Sequence, residues 1–189
     1  MRRKIIIIIL GLGVIAILSF LLLKETTPPE VKTPPPELAT ISEVIDGITV
    51  RLKSGQRVRY LGVYTPDLAG KKRCFAKEAI AANKNIIGKK IRLEEDPALK
   101  KSQDGAWIRY AYLQLDPKAE KEKDRELLIN EKILEGGFGF PLLSEAMIKW
   151  KSMMSAAKYA RAVKRGLWDK CKVERDKKTK RLETNPLKS

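Results

Sequence analysis

Residues 49–67 read Thr49-Val50-Arg51-Leu52-Lys53-Ser54-Gly55-Gln56-Arg57-Val58-Arg59-Tyr60-Leu61-Gly62-Val63-Tyr64-Thr65-Pro66-Asp67. Thr49 to Lys53 alternate with the period of two that a pleated strand requires, and Ser54-Gly55 turn the chain. Gln56 to Val63 resume the strand, with Val58 and Tyr60 on one face and Arg59, Leu61 and Val63 on the other. Tyr64-Thr65-Pro66-Asp67 breaks the run, since proline has no N–H for a ladder. Upstream, Ile41, Val44 and Ile45 predict another strand, ended by the turn pair Asp46-Gly47. Downstream, Phe75, Ala79, Ala82 and Ile86 recur at helical spacing up to Gly88. Lys89 to Glu94 and Trp107 to Leu115 read as two further strands. Leu127, Leu128, Asn130, Ile133 and Leu134 predict a second helix that stops at Gly136-Gly137. Ser144 caps a third, with Ala146, Trp150, Met153, Ala157 and Ala160 as its stripe and Gly166 as its end. Five short strands with inserted and trailing helices predict an α+β domain: a five-stranded barrel of the OB type with three helices, over residues 39–171. Residues 172–189 are charged and aperiodic, which predicts a disordered basic tail.

The N-terminus has a different character. Arg2, Arg3 and Lys4 form a basic cap over residues 1–4, and Ile5 to Leu23 is an uninterrupted run without charge. A helix of about 20 apolar residues spans a bilayer core of about 30 Å. The basic cap predicts an N-terminus in the cytoplasm and a domain on the far side of the cytoplasmic membrane. The rival is a cleaved signal peptide, but no small-residue cleavage site follows Leu23. Residues 24–38 contain Pro28, Pro29, Pro34, Pro35 and Pro36. These favour a semi-rigid polyproline II stalk of roughly 45 Å.

The 189 residues carry 39 Lys and Arg against 23 Asp and Glu, a formal charge of +16, and no histidine. The charge favours polyanions such as nucleic acid, anionic lipid or an acidic wall polymer; a merely soluble surface is the plain alternative. Without histidine, zinc sites, Ser-His-Asp triads and Cys-His dyads fall away. Hydrolysis would have to rest on carboxylates, arginines and a hard cation bound by oxygen.

The order of motifs adds a family resemblance. Val44-Ile45-Asp46-Gly47-Ile48-Thr49-Val50 is followed by Arg59-Tyr60-Leu61-Gly62-Val63-Tyr64-Thr65-Pro66-Asp67, then by Lys77-Glu78-Ala79 and Asp104-Gly105-Ala106-Trp107-Ile108-Arg109-Tyr110. Asn130-Glu131, Glu135-Gly136-Gly137-Phe138 and Gly166-Leu167-Trp168 complete the series. Together, from about Thr40 to Cys171, they resemble the thermonuclease family, also called staphylococcal-nuclease-like domains. That resemblance implies an OB barrel with three helices and calcium-dependent hydrolysis of DNA and RNA. In the family pattern two aspartates and a threonine carbonyl place the metal, a glutamate handles water, and two arginines neutralise the transition state.

The chain departs from this pattern at the site. Ile48 and Tyr64 stand where the family has calcium aspartates, Asp67 stands for the glutamate, and Ala106 for an arginine; Arg59 and Thr65 match in kind. The resemblance therefore implies a degenerate thermonuclease-like domain with its calcium lost, and Arg59 and Asp67 as vestigial catalytic residues. Arg59 reads either as a phosphate contact or as a strand arginine in an ion pair. Asp67 reads either as a weakened general base or as a turn residue after Pro66, Asp46 as a ligand or a turn former, and Asp104-Gly105 as a loop turn before a strand. Tyr64, Tyr60 and Trp107 suit base stacking or packing. Lys71, Lys72 and Arg73 suit either polyanion contact near the groove or a solvated loop. Cys74 and Cys171, in an extracytoplasmic chain, are expected to pair; the alternative is two separate thiols. The combined expectation is a monomeric, membrane-anchored module that binds nucleic acid or another polyanion through Arg59, Lys71, Lys72 and Arg73. The alternative is an active nuclease with a rearranged site of Asp46, Asp67, Asp104 and Arg59.

Overall fold

A computed structural model describes residues 38–69, 72–97, 102, 104–116, 118–121 and 125–187. The chain divides into two units, Met1–Pro34 and Pro35–Ser189. The expected anchor and nearly all of the stalk lie outside the described residues, as does Lys71. Among the described residues no helix is long and apolar enough to cross a membrane.

The second unit is α+β and is built on a closed five-stranded barrel. β1 (Ala39–Val44), β2 (Thr49–Leu52) and β3 (Arg57–Tyr60) form an antiparallel meander, in register Val44↔Val50 and Val50↔Val58. A two-residue pair, β4 (Val63–Tyr64), follows β3, and helix α1 (Ala76–Lys84) comes next. β5 (Lys90–Glu94) returns beside β1, and β6 (Trp107–Gln114) runs antiparallel to β5. The barrel closes where β6 meets β3 in parallel, Val58↔Trp107 to Tyr60↔Arg109. The alternation of the opening stretch is realised directly: Val50, Leu52, Val58 and Tyr60 point inward and are at most 2% exposed, and Arg51, Arg57 and Arg59 point outward. The strand expected to reach Val63 stops at Tyr60, because the chain turns at Leu61-Gly62. Both Leu61 and Val63 are therefore buried rather than placed on an outer face.

The three expected helices are present with shifted ends. β7 (Glu126–Leu128) extends the sheet beyond β6, so Leu127 and Leu128 belong to a strand and not to the second helix. That pairing carries an ion pair: Arg92 of β5 donates from Nε and from a terminal nitrogen to Glu126, at 2.9 and 2.7 Å. α2 (Ile129–Glu135) then packs Ile129, Ile133 and Leu134 on the barrel. β8 (Phe140–Pro141) pairs with β4. α3 (Trp150–Ala162) buries Met153, Ala156, Ala157 and Ala160. Ser144 does not cap α3, which begins six residues later, and Ala146 is exposed. The intervening turn is held instead by buried Asp96, which accepts from the Tyr110 hydroxyl at 2.8 Å and the Ile148 N–H at 3.0 Å.

Two buried side-chain amides tie these layers together. Asn130 of α2 accepts from the Ala111 N–H at 2.9 Å and donates to the carbonyls of Leu61 at 2.9 Å and Arg109 at 3.1 Å. Asn83 of α1 accepts from the Tyr60 hydroxyl at 2.9 Å and donates to the Asp46 carbonyl at 2.9 Å. Burial pushes the Tyr60 phenol well above its ordinary range. Gly137 and Gly166 give the two glycine-bearing motifs their meaning. A Cβ on Gly137 would lie 2.0 Å from the Arg165 carbonyl oxygen, and the Leu167 N–H donates to the Gly137 carbonyl at 2.8 Å.

Residues 172–189, expected to be a disordered tail, fold as far as they are described. One-turn helix α4 (Leu167–Lys170) leads into a hairpin of β9 (Val173–Arg175) and β10 (Leu182–Thr184). The turn is local: the Asp176 carboxylate accepts from the Lys178 and Thr179 N–H groups at 3.0 and 2.6 Å. Everything that fastens the hairpin to the domain is distant in sequence. Cys74 N–H donates to the Asn185 carbonyl at 2.9 Å, the Thr184 hydroxyl to the Cys74 carbonyl at 2.8 Å, and Leu187 N–H to the Lys72 carbonyl at 2.8 Å. Composition reports local tendency and is blind to such long-range fastening.

Candidate functional site

Two loops of the barrel carry the motif residues to one place. The β1–β2 loop presents Asp46, Gly47 and Ile48, and the end of β4 with the chain after it presents Tyr64, Thr65 and Asp67. The two loops touch: a Cβ on Gly47 would come within 2.6 Å of the Thr65 Oγ1, so only glycine allows this approach. Asp46 folds its carboxylate onto its own turn, with Oδ1 accepting from the Ile48 N–H at 2.8 Å. This is the local Asx arrangement that makes aspartate a turn former. Ile48 packs against the hydrophobic core. Thr65 is buried at 5% exposure, and the Asp67 carbonyl accepts from the Arg73 N–H at 3.0 Å.

Tyr64 lies opposite Phe140 in the β4–β8 pair. Its ring stacks on Phe140 at a centroid distance of 6.4 Å, and the Arg181 guanidinium lies 5.9 Å from its centroid. Burial, then the negative charges of Asp67 and Glu183, raise its phenol above the ordinary tyrosine range, so it is neutral at neutral pH. These residues do not fit a calcium ion. Ile48 contributes a packed hydrocarbon, Tyr64 an uncharged ring beside a guanidinium, and calcium takes six to eight oxygens with carboxylate charge among them. Asp46, Asp67 and Asp104 do not gather either: among the described residues no three His, Cys, Asp or Glu side chains could share a metal.

Arg59 is held on the outside of β3. A terminal nitrogen meets the Asp104 carboxylate at 2.9 Å, and Nε reaches the Thr49 hydroxyl at 3.4 Å. Arg57 lies 3.4 Å from the same Asp104 oxygen and also donates to the Asp104 carbonyl. The Ser102 hydroxyl, the Ala106 N–H and Arg59 hold the Asp104 carboxyl down to about 2. Of the two readings of Arg59, the geometry is that of the ion pair. Ala106 is fully buried, so its position has no room for a solvent-facing guanidinium.

The basic loop after Pro66 serves the C-terminal hairpin. Arg73 pairs with Glu183 and donates to the Thr184 carbonyl at 2.9 Å, and Lys72 is exposed. Arg73 is thus not turned toward a barrel groove. Cys74 and Cys171 form a disulfide with Cα atoms 6.0 Å apart, as the two-cysteine count predicted. Beside this fastening a groove of 270 Å³ opens between the hairpin and the β4–β8 pair, lined by Tyr64, Phe140, Leu142, Arg175, Lys180 and Arg181 among others. Sequence pattern does not single out these three basic residues, because their charged, aperiodic segment predicts no structure. The signal that could have found them is Asp176 and Thr179 forming a turn between the short runs Val173-Glu174-Arg175 and Leu182-Glu183-Thr184.

No protein-family model matches the sequence, and no curated protein matches it.

Proposed function

We propose that this chain is a membrane-anchored, thermonuclease-like OB-barrel protein that has exchanged catalysis for binding of nucleic acid or another polyanion. The observation that carries the reading is the meeting of Gly47 with Thr65 at the end of a barrel closed in the order β1-β2-β3-β6-β5. That order suits the OB type, and the contact unites the two motifs on which the family resemblance rests. At the charged positions of that family pattern stand Ile48, Tyr64 and buried Ala106, which supply none of the charge a phosphodiesterase needs. Losing one preorganised charge contact costs about 10²–10³ in rate, and the losses here act on one transition state. The formal charge of +16 supplies the attraction to a polyanion. A disulfide suits a domain held outside the cytoplasm.

The test is a pair of measurements on the full chain in detergent micelles: cleavage of single-stranded DNA with and without calcium, and equilibrium binding to the same DNA against salt. The expected result is salt-dependent binding without calcium-dependent cleavage. Robust cleavage abolished by Arg59→Ala would overturn the reading in favour of a nuclease with a rearranged site. Protease added to intact spheroplasts tests the topology. Digestion of the domain is expected, and full protection until lysis would reject it.

A further inference from the structure

The arginines of the barrel strands are each paired with a neighbouring acid. Arg57 and Arg59 share Asp104, Arg51 meets Glu43 at 2.8 Å, and Arg92 meets Glu126 at 2.7 Å. Arg73 is taken up by Glu183. The groove beside the hairpin differs. Among the described residues no carboxylate lies within 4.0 Å of a side-chain nitrogen of Arg175, Lys180 or Arg181. Glu183, the acid of β10, pairs with Arg73 in a neighbouring recess that Arg175 also lines, and its charge still reaches Tyr64.

The floor of the groove is flat and apolar. Tyr64 stacks on Phe140 with 23° between their planes, and Arg181 lies over the tyrosine. Leu142, 45% exposed, forms part of the wall. A volume of 270 Å³ admits one flat ring with its phosphate and excludes a duplex. Unneutralised cations attract phosphates, whereas aromatic and guanidinium faces stack on bases of any sequence. An acyl chain would use neither flat face.

We propose that the groove between the β9–β10 hairpin and the β4–β8 pair is the site that grips single-stranded nucleic acid. One base lies against the Tyr64–Arg181 platform, and the adjoining phosphates meet Arg175 and Lys180. The assignment rests on the polyanion-binding reading above and moves its contact surface from Arg59 to the C-terminal hairpin.

The experiment measures fluorescence anisotropy of a labelled oligothymidylate with the full chain in detergent micelles, over a salt series. Three variants are compared with the parent: Arg175→Ala/Lys180→Ala/Arg181→Ala, Arg57→Ala/Arg59→Ala, and Tyr64→Leu. A cooperative thermal unfolding transition close to the parent's shows that each is folded. The hairpin variant is expected to bind at least tenfold more weakly, and its salt slope to fall by roughly 2, three contacts at about 0.7 each. Tyr64→Leu weakens binding by roughly tenfold and keeps the slope. The Arg57/Arg59 variant stays within about twofold of the parent, because its cations are already paired. Parent-like binding by the hairpin variant, or the main loss in the Arg57/Arg59 variant, overturns the site assignment alone. No oligonucleotide binding by the parent overturns the polyanion reading beneath it. Hairpin-dependent binding to phosphatidylglycerol vesicles in place of the oligonucleotide overturns the nucleic-acid assignment in favour of a lipid surface.

Discussion

Reducing the Cys74–Cys171 bridge removes the one covalent constraint on the barrel unit, and its cost follows from its span. The two cysteines are 97 positions apart. In the chain-entropy model, closing a loop of that length lowers the entropy of the unfolded chain by about 16 cal/mol/K, or about 4.7 kcal/mol at 25 °C. For a unit of this size each 1 kcal/mol moves the thermal midpoint by about 2–4 °C, so reduction should lower it by about 9–19 °C. A second, local effect is expected. Cys171 leads directly into the hairpin, which is otherwise held by the Arg73–Glu183 pair and hydrogen bonds at Lys72, Cys74 and Thr184. Amide exchange at Val173–Arg175 and Leu182–Thr184 should accelerate more than exchange in β1 to β3. The assay compares oxidised and reduced full chain by calorimetry and by hydrogen exchange. Midpoints within about 2 °C of each other would refute the loop-closure argument. Unchanged exchange of the hairpin would refute its dependence on the bridge.

Three further outcomes are expected. Asn130→Leu leaves the Ala111 N–H and the Leu61 carbonyl without the partner each has here, while the Arg109 carbonyl keeps the Leu61 N–H; urea unfolding should show a loss of about 2–6 kcal/mol. Ala106→Arg forces a guanidinium into a fully buried position and should destabilise by about 3 kcal/mol or more, and an unchanged thermal midpoint would contradict that burial. Carboxyl NMR should place Asp104 near about 2, with Ser102→Ala raising the value toward 3.8. Because the folded pKa is depressed, its stabilising contribution is present above the unfolded value of 3.8 and is lost as pH falls through about 2; an ordinary titration would refute the pairing with Ser102 and Arg59.

The parts of the fold that were legible are those where local pattern and tertiary need coincide. Val50, Leu52, Val58 and Tyr60 alternate because one barrel wall takes every second side chain, and Ala79 and Ile86 recur because one face of α1 and of the turn after it is covered. The misread parts are those where a distant partner decides. Leu127 and Leu128 fit helical spacing, but the open edge of β6 recruits them as a strand. Gln56 to Val63 looks like one strand, and only packing reveals that Leu61 and Val63 are both inside after a turn. At the candidate site, Ile48, Tyr64 and Ala106 were legible as departures from the pattern the sequence resembles, but their surroundings were not. Whether Arg59 faces a phosphate or Asp104 depends on β3 lying beside β6, and Arg73 finds Glu183 across 110 positions.

The parallel seam between β3 and β6 also imposes a timetable on a growing chain. β1, β2 and β3 are consecutive, and their turns let the meander form as soon as it emerges. Its two outer margins stay bare until β5 reaches β1 and Trp107 reaches Val58. A bare strand margin is adhesive, and non-local pairing is slow. During that wait the outward guanidinium groups of Arg57 and Arg59 give the β3 margin a like charge in every copy, which discourages two nascent chains from joining there. Cys171 follows β5 and β6 in the chain, so oxidation to the Cys74 bridge becomes available only to a chain that already has every strand of its barrel.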